Sequence, residues 1–99
     1  MGILRLSGPR ARAIGERIAG RALRARHAHH ARFVDAAGEE VDDGIAIWFA
    51  APASYTGEDV VELQAHGSPA VLSQLIDAAC AHGALVSLLT FLPIYLQSA

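Results

Sequence analysis

The chain has 99 residues, of which 53% are hydrophobic and 18% are charged. This length fits one small domain with a single core, and so apolar a composition argues against a disordered chain. It also predicts a surface that a partner or another domain covers, unless the many alanines raise the apolar count without adding burial. The single cysteine, Cys80, excludes an internal disulfide, so we expect a cytoplasmic protein in which Cys80 is a small core residue rather than a nucleophile.

Charge is divided unevenly along the chain. Residues 1–34 contain all eight arginines and one acid, Glu16, whereas residues 35–99 contain nine acids and no Arg or Lys. Such asymmetry is typical of a protein whose basic end faces a nucleic acid. The alternative is that the two halves pair with each other, within the fold or across a dimer.

The first predicted elements are a strand and a helix. Residues 3–6 form the strand, and Ser-Gly-Pro at 7–9 breaks it and can cap and begin a helix. The helix is predicted to end at Gly20, with Ile14 and Ile18 one turn apart on its core face.

A β-hairpin is predicted next. Residues 31–36 and 41–50 are its strands, and residues 37–39 form the turn. Apolar side chains alternate on both faces of the second strand, which is typical of a covered strand. We therefore expect Trp48 in the core or at an interface.

A further strand and a second helix follow. Residues 59–65 form the strand, and Gly-Ser-Pro at 67–69 repeats the earlier transition from strand to helix. The helix is amphipathic and ends at Gly83, with its predicted core face made by Val71, Leu72, Leu75, Ile76 and Ala79.

The last stretch, residues 84–96, is apolar and is interrupted by Pro93. It is too short for a membrane-spanning helix, which needs about 20 apolar residues, so we predict a buried strand and no membrane association. The predicted order is β-α-β-β-β-α-β, an α+β fold in one small domain with a mixed sheet and two helices. We assign residues 1–83 to this domain and residues 84–99 to an apolar tail.

Several kinds of chemistry are excluded or disfavoured. The chain has no Lys and therefore no phosphate-binding loop ending in Lys-Ser or Lys-Thr, so it contains no ordinary GTP site. It has neither a cysteine pair for zinc nor a Gly-x-Ser-x-Gly nucleophile elbow. The cluster of His27, His29 and His30 is interpreted as a connector or the start of a strand, because a metal site needs fixed geometry and further ligands.

Binding through carboxylates remains. Glu58, Asp59 and Glu62 follow a loop that contains Tyr55 and Thr56. A carboxylate can accept two parallel hydrogen bonds from an amidine-like ring edge such as that of a pterin, while an aromatic side chain stacks on the ring. The alternative is that Glu58 and Asp59 are solvated residues at the start of a strand.

Two further residues allow two interpretations each. Arg5 can neutralise a carboxylated ligand or pair with one of these acids, or it can form a surface ion pair worth under about 1 kcal/mol. His66, between the strand and Gly67, can be a hydrogen-bonded structural residue or a proton carrier.

Four stretches carry a resemblance to a known family. They are Gly-Ile-Leu-Arg-Leu-Ser-Gly-Pro at 2–9, Arg-His-Ala-His at 26–29, Ser-Tyr-Thr-Gly-Glu-Asp-Val-Val-Glu at 54–62, and His-Gly at 66–67. Over residues 2–83 the chain resembles the N-terminal domain of the bacterial tRNA modification GTPases of the MnmE family, also called TrmE.

The resemblance implies a fold similar to the folate-binding domain of one-carbon transferases, a homodimer, and a tetrahydrofolate derivative, in its 5-formyl or 5,10-methylene form, at the dimer interface. The whole enzyme of that family acts with a flavoprotein partner in carboxymethylaminomethyl modification of the wobble uridine of tRNA. Arg5 and Glu62 are the implied folate contacts. We predict no catalytic residue and no metal ligand, and a cofactor site made of Arg5, Tyr55, Thr56, Glu58, Glu62 and His66.

The chain also departs from the family pattern. The family begins earlier, with a strand and a loop, and after Gly83 it continues toward helical and GTPase domains, whereas residues 84–99 here are apolar. We therefore expect a form truncated at both ends that is not catalytic by itself, and for which tRNA is an indirect partner. One alternative is an interaction or dimerisation fragment that binds no folate, and another is nucleic-acid binding by the arginine-rich first third.

Overall fold

The computed structural model describes residues 2–54 and 57–83. The described residues form an α+β domain, as predicted, in which four strands and two helices follow the predicted order. The elements are β1 (Gly2–Ser7), α1 (Ala11–Ala19), β2 (Ala28–Val34), β3 (Glu40–Phe49), β4 (Val60–Ala65) and α2 (Pro69–Ala81). The final strand predicted at residues 84–96 lies outside the described residues.

The four strands form one sheet in the order β1-β4-β3-β2. The sequence predicts a mixed sheet, but all three pairings of the described strands are antiparallel. The predicted hairpin is confirmed, because β2 pairs with β3 from Ala28 opposite Ile47 to Val34 opposite Glu40. Its turn is held by Asp35, whose Oδ1 accepts the backbone N–H groups of Ala37 and Glu39 at 2.9 Å each.

Both helices pack on one face of the sheet and form the core with it. Alternation along β1 and β4 directs Leu4, Leu6, Val61 and Leu63 to this face. Ile14 and Ile18 of α1 are buried there, as predicted. Further buried side chains of this core are Ala46, Phe33, Leu72, Leu75, Ala78 and Ala79.

Helix α1 begins later than the Ser-Gly-Pro motif predicts. Ser7 is the last residue of β1, and the N-cap is Arg10, which makes no side-chain capping bond. Gly8, with φ of 137°, and Pro9 make the turn between the two elements. The end of the helix is as predicted, since Gly20 is a left-handed C-cap with φ of 67°.

Helix α2 begins after Ser68 with Pro69 in its first turn, as predicted. Cys80 is exposed, so its prediction as a core residue was wrong. The preceding residue, Ala79, faces the sheet, and the next position lies about 100° further around the helix, which turns the thiol to the surface. None of the described helices is long and apolar enough to span a membrane.

Trp48 lies partly buried against the core, as expected. The guanidinium carbon of Arg12 lies 4.2 Å from the centre of its ring. The indole Nε1 donates to Oδ1 of Asp59 at 3.3 Å, and the same oxygen accepts the backbone N–H of Ala51 at 2.9 Å. Asp59 therefore joins the end of β3 to the start of β4.

The opposite face of the sheet has no helix on it among the described residues. Alternation brings Ile3 from β1 and Ile45, Ile47 and Phe49 from β3 to this face, where each is only half-buried. We call it the open face. The inner strand β4 contributes Glu62 and Gln64 to this face.

Candidate ligand site on the open face

The open face has an ion pair at its centre. Arg5 on β1 lies directly opposite Glu62 on β4 in the sheet register. The Arg5 Nε donates to Oε2 of Glu62 at 2.9 Å, and the two side chains are 22% and 8% exposed. The antiparallel pairing thus brings together the two residues that the resemblance implied as folate contacts.

Glu62 is unusual because it is an acid buried in a strand, and the residue as a whole is 6% exposed. Its neighbour across the other side of β4 is Ile47, an apolar residue that offers no hydrogen bond from its side chain. Burying a carboxylate is costly unless charged or hydrogen-bonding partners compensate for lost water. Arg5 is that partner for Oε2.

The other carboxylate oxygen of Glu62 has a weaker contact. Oε1 accepts from Nε2 of Gln64 at 3.5 Å, a long hydrogen bond. A carboxylate has acceptor sites on both oxygens, so Oε1 retains the capacity to accept a donor from a ligand. No sequence motif singles out Gln64, although the alternation of β4 places it on the same face as Glu62.

The loop before β4 contains three of the residues predicted for the site. Tyr55 and Thr56 lie outside the described residues. Glu58 is exposed, and its backbone carbonyl accepts a short hydrogen bond from the Ser54 hydroxyl. Asp59 accepts hydrogen bonds from the Trp48 indole and the Ala51 backbone, so it is not simply a solvated residue at the start of the strand.

His66 lies at the far end of β4 and has its own partner. Its Nδ1 is 2.8 Å and 3.0 Å from the two carboxylate oxygens of Asp42, and its backbone N–H donates to Asp42 Oδ2 at 2.9 Å. His66 lies four positions after Glu62, which corresponds to about 13 Å along an extended chain. The fold therefore brings Arg5 and Glu62 together and leaves His66 at the margin.

The pairing with His66 changes the acidity of Asp42. Partial burial alone would raise the pKa of the Asp42 carboxyl, but hydrogen bonds from the backbone and ring of His66 and from the backbone of Asp43 outweigh it and lower the pKa. Asp42 has no local signal in the sequence as a partner of His66, because 24 positions separate the two residues. No local pattern could have shown that they meet.

The histidine cluster is confirmed as the start of a strand. His29 and His30 belong to β2, where alternation directs them to opposite faces. The Nε2 of His29 is buried and accepts the backbone N–H of Arg24 at 2.9 Å, while His27 is exposed on the connector. The three rings therefore do not converge on one point.

The basic and acidic halves of the chain pair within the fold. Besides Arg5 with Glu62, Arg32 lies 4.0 Å from Glu40, and His30 Nε2 lies 3.4 Å from Asp43. The last two pairs are exposed and contribute little to stability. The Arg5–Glu62 and Arg32–Glu40 pairs show that part of the charge asymmetry is neutralised between neighbouring strands.

Comparison with known proteins shows the family to which the chain belongs. The profile described as "GTP-binding protein TrmE N-terminus" matches residues 1–88. The chain is 60% identical over 76 residues to the tRNA modification GTPase MnmE of Xanthomonas oryzae pv. oryzae strain PXO99A, which is 77% of this chain and 17% of that protein.

Two other relatives give the same result. The chain is 56% identical over 84 residues to the protein of that name from Xanthomonas campestris pv. campestris strain B100, covering 85% of this chain and 19% of the relative. It is 49% identical over 84 residues to the one from Pseudomonas aeruginosa strain UCBPP-PA14, covering 85% and 18%. The chain thus spans less than one fifth of the length of these relatives. The protein belongs to the TrmE N-terminus family, with Arg5 and Glu62 at the centre of its open sheet face.

Proposed function

We propose that this chain is a folate-binding and dimerisation module of a tRNA modification GTPase. The observation that carries the proposal is the buried Glu62 carboxylate, paired with Arg5 on the open face beside the half-buried Ile47. The relatives are named as tRNA modification GTPases. The chain spans less than one fifth of their length and has no Lys for a phosphate-binding loop, so we assign GTP hydrolysis and the modification of tRNA to the larger enzyme and not to this chain.

The chemistry of Glu62 suits the edge of a pterin ring. Such an edge presents neighbouring N–H donors, and a carboxylate accepts two parallel hydrogen bonds from donors arranged in this way. Oε2 is oriented by Arg5 and Oε1 has only a long contact with Gln64, so the carboxylate keeps the capacity to accept donors from a ligand. The half-buried Ile47 beside Glu62 offers an apolar surface to a flat ring.

The remaining predicted contacts stay part of the proposal. Tyr55 and Thr56 supply stacking and a hydroxyl from the preceding loop, and Glu58 adds a carboxylate there. His66 is a contact only for a part of the ligand that extends along β4. The cofactor is a tetrahydrofolate derivative in its 5-formyl or 5,10-methylene form, which this chain positions without supplying a catalytic residue.

The open face also supports dimerisation. Ile3, Ile45, Ile47 and Phe49 are half-buried and no helix among the described residues covers them. A second copy placed against this face would bury them and would enclose a ligand at Glu62 between two sheets, where water is excluded. The larger assembly then includes the flavoprotein partner, and tRNA indirectly, in the cytoplasm.

The proposal is tested by calorimetric titration with 5-formyltetrahydrofolate, with the oligomeric state measured by light scattering in the same buffer. Glu62→Gln keeps the shape of the side chain but removes its charge, and hydrogen bonds to charged groups contribute about 1.5 to 3 kcal/mol, so we expect about 10- to 150-fold weaker binding. The matched control is Glu39→Gln, at an exposed position in the β2–β3 turn, which should bind as the wild type does.

Equal affinity of wild type and Glu62→Gln would contradict the folate site. A dimer that shows no heat of folate binding would favour the second candidate, a dimerisation fragment that binds no folate. That candidate rests on the apolar side chains of the open face alone.

A further inference from the structure

Two carboxylates and two imidazoles meet at the margin of the sheet, where three strands contribute to one small volume. His66 follows β4, Asp42 and Asp43 belong to β3, and His30 belongs to β2. The ligand-type atoms of Asp42, Asp43 and His66 all lie within 4.8 Å of one another. His30 extends the group, because its Nε2 is 3.4 Å from Oδ2 of Asp43.

The spacing of these atoms suits a small divalent ion. Zinc binds imidazole nitrogen and carboxylate oxygen at about 2.0 to 2.2 Å, so two ligand atoms of a tetrahedral site are about 3.4 Å apart. The Nδ1 of His66 lies 2.8 Å from Oδ1 of Asp42 and 3.8 Å from Oδ1 of Asp43. Small rotations of exposed side chains would therefore bring three ligands to the required separation.

One ligand is held in place and the others are accessible. The Asp42 side chain is 13% exposed, and its Oδ2 accepts the backbone N–H of His66 at 2.9 Å, which orients the carboxylate. The side chains of Asp43, His66 and His30 are 47%, 71% and 69% exposed. Asp43, His66 and His30 also line an open cavity of about 310 Å³, which gives an ion and its water a way in.

We propose that Asp42, Asp43 and His66 form a binding site for a divalent transition-metal ion such as Zn²⁺, with His30 as a fourth ligand. Imidazole nitrogen favours zinc and similar metals over Mg²⁺ and Ca²⁺, which prefer oxygen donors alone. The proposed metal site shares only His66 with the proposed folate site and does not involve Arg5 or Glu62.

The test is calorimetric titration of the full chain with ZnCl₂ near neutral pH, in a buffer that does not bind metals. We expect saturable binding with one ion per chain. His66→Gln and Asp42→Asn each remove one ligand and should weaken binding at least about tenfold. The matched controls are His27→Gln and Asp77→Asn, two exposed positions outside the cluster, which should bind zinc as the wild type does.

A second readout identifies the donor atoms. Co²⁺ in place of zinc should show visible d–d absorption without a thiolate charge-transfer band, which separates this cluster from binding at the exposed Cys80. Should Asp42→Asn fail to fold, Asp43→Asn at an exposed position gives the same test of a carboxylate ligand. Circular dichroism of each variant establishes that it is folded.

The site would be disproved by the absence of saturable zinc binding, by unchanged affinity in His66→Gln, or by loss of binding in His27→Gln, which would assign the metal to the first histidine cluster. His66 is also a predicted folate contact. Titrating the same His66→Gln variant with zinc and with 5-formyltetrahydrofolate separates the two roles, because only the zinc result bears on the metal site.

Discussion

The Nε of Arg5 lies 2.9 Å from Oε2 of Glu62, although 57 positions separate the two residues in the sequence. Neither side chain is free to leave this arrangement at low cost. The Glu62 carboxylate is almost fully buried, and removing a charged partner from such a group leaves an uncompensated charge. The pair therefore links the stability of the β1–β4 edge to the proposed folate surface.

Arg5→Gln should lower the free energy of unfolding by about 1 to 3 kcal/mol. This loss is smaller than for a fully buried ion pair, because Arg5 is partly solvated. The double variant Arg5→Gln/Glu62→Gln should be less unstable than the sum of the two single variants, since it leaves no charge unpaired. Urea denaturation of all four proteins measures this coupling. Additive single effects would show that the ion pair contributes nothing to the fold.

Gly44→Ala should be among the most destabilising small substitutions. A Cβ at this position in β3 would overlap the backbone carbonyl oxygen of Gln64 in β4, and a backbone atom cannot move without disturbing the strand pairing. We expect a loss of about 3 kcal/mol or more in the free energy of unfolding.

Gly15→Ala is the matched comparison for Gly44→Ala. Its Cβ would lie 2.7 Å from Cγ1 of Val61, a side-chain atom, and alanine raises helix propensity by about 1 kcal/mol in partial compensation. Gly44→Ala should therefore have a much lower melting temperature than Gly15→Ala in thermal unfolding. The reverse order would contradict the close approach of β3 and β4 at Gly44.

Asp59→Ala should lower stability without acting through the folate site. It removes the acceptor of both the Ala51 N–H and the Trp48 indole, and each lost bond costs about 0.5 to 1.5 kcal/mol. Asp59→Asn keeps an oxygen at this position and should recover most of the stability. Denaturation followed by Trp48 fluorescence measures both. Loss of folate affinity in a folded Asp59→Ala protein would instead make Asp59 a ligand contact.

His82 should make stability depend on pH. Burial lowers the pKa of His82, and the positive charge of Arg17 lowers it further. Its Nε2 has no hydrogen-bond partner among the described residues, and Arg10 donates to its backbone carbonyl. The unfolded chain therefore binds a proton on His82 at a higher pH than the folded chain does.

The stabilisation of the folded state by His82 is present above the ordinary histidine pKa of about 6.5. It is lost as the pH falls through the lower pKa of His82 in the folded state. As the pH falls from about 7 to about 5, the free energy of unfolding measured in urea should decline less for His82→Gln than for the wild type. Arg17→Gln should lie between them. Identical pH profiles of wild type and His82→Gln would contradict a lowered pKa.

The amino-acid sequence by itself determined the local elements of this protein. Hydrophobic periodicity and the placement of glycine and proline depend on neighbouring residues, so they predicted both helices, the hairpin and the burial of Ile14 and Ile18. Along α2, the apolar pattern was right for Leu72 and Leu75 and misleading for Cys80, because one step around a helix separates its buried face from solvent.

The resemblance to a family selected Arg5 and Glu62, but only the tertiary structure decided that they touch. The same holds for Asp42 and His66, which meet across β3 and the end of β4. Strand order and register are set by packing between distant segments, and the period of two then decides which side chains share a face. Local patterns contain no record of those distant pairings, which is why the open face and its two side-chain clusters became visible only in the folded chain.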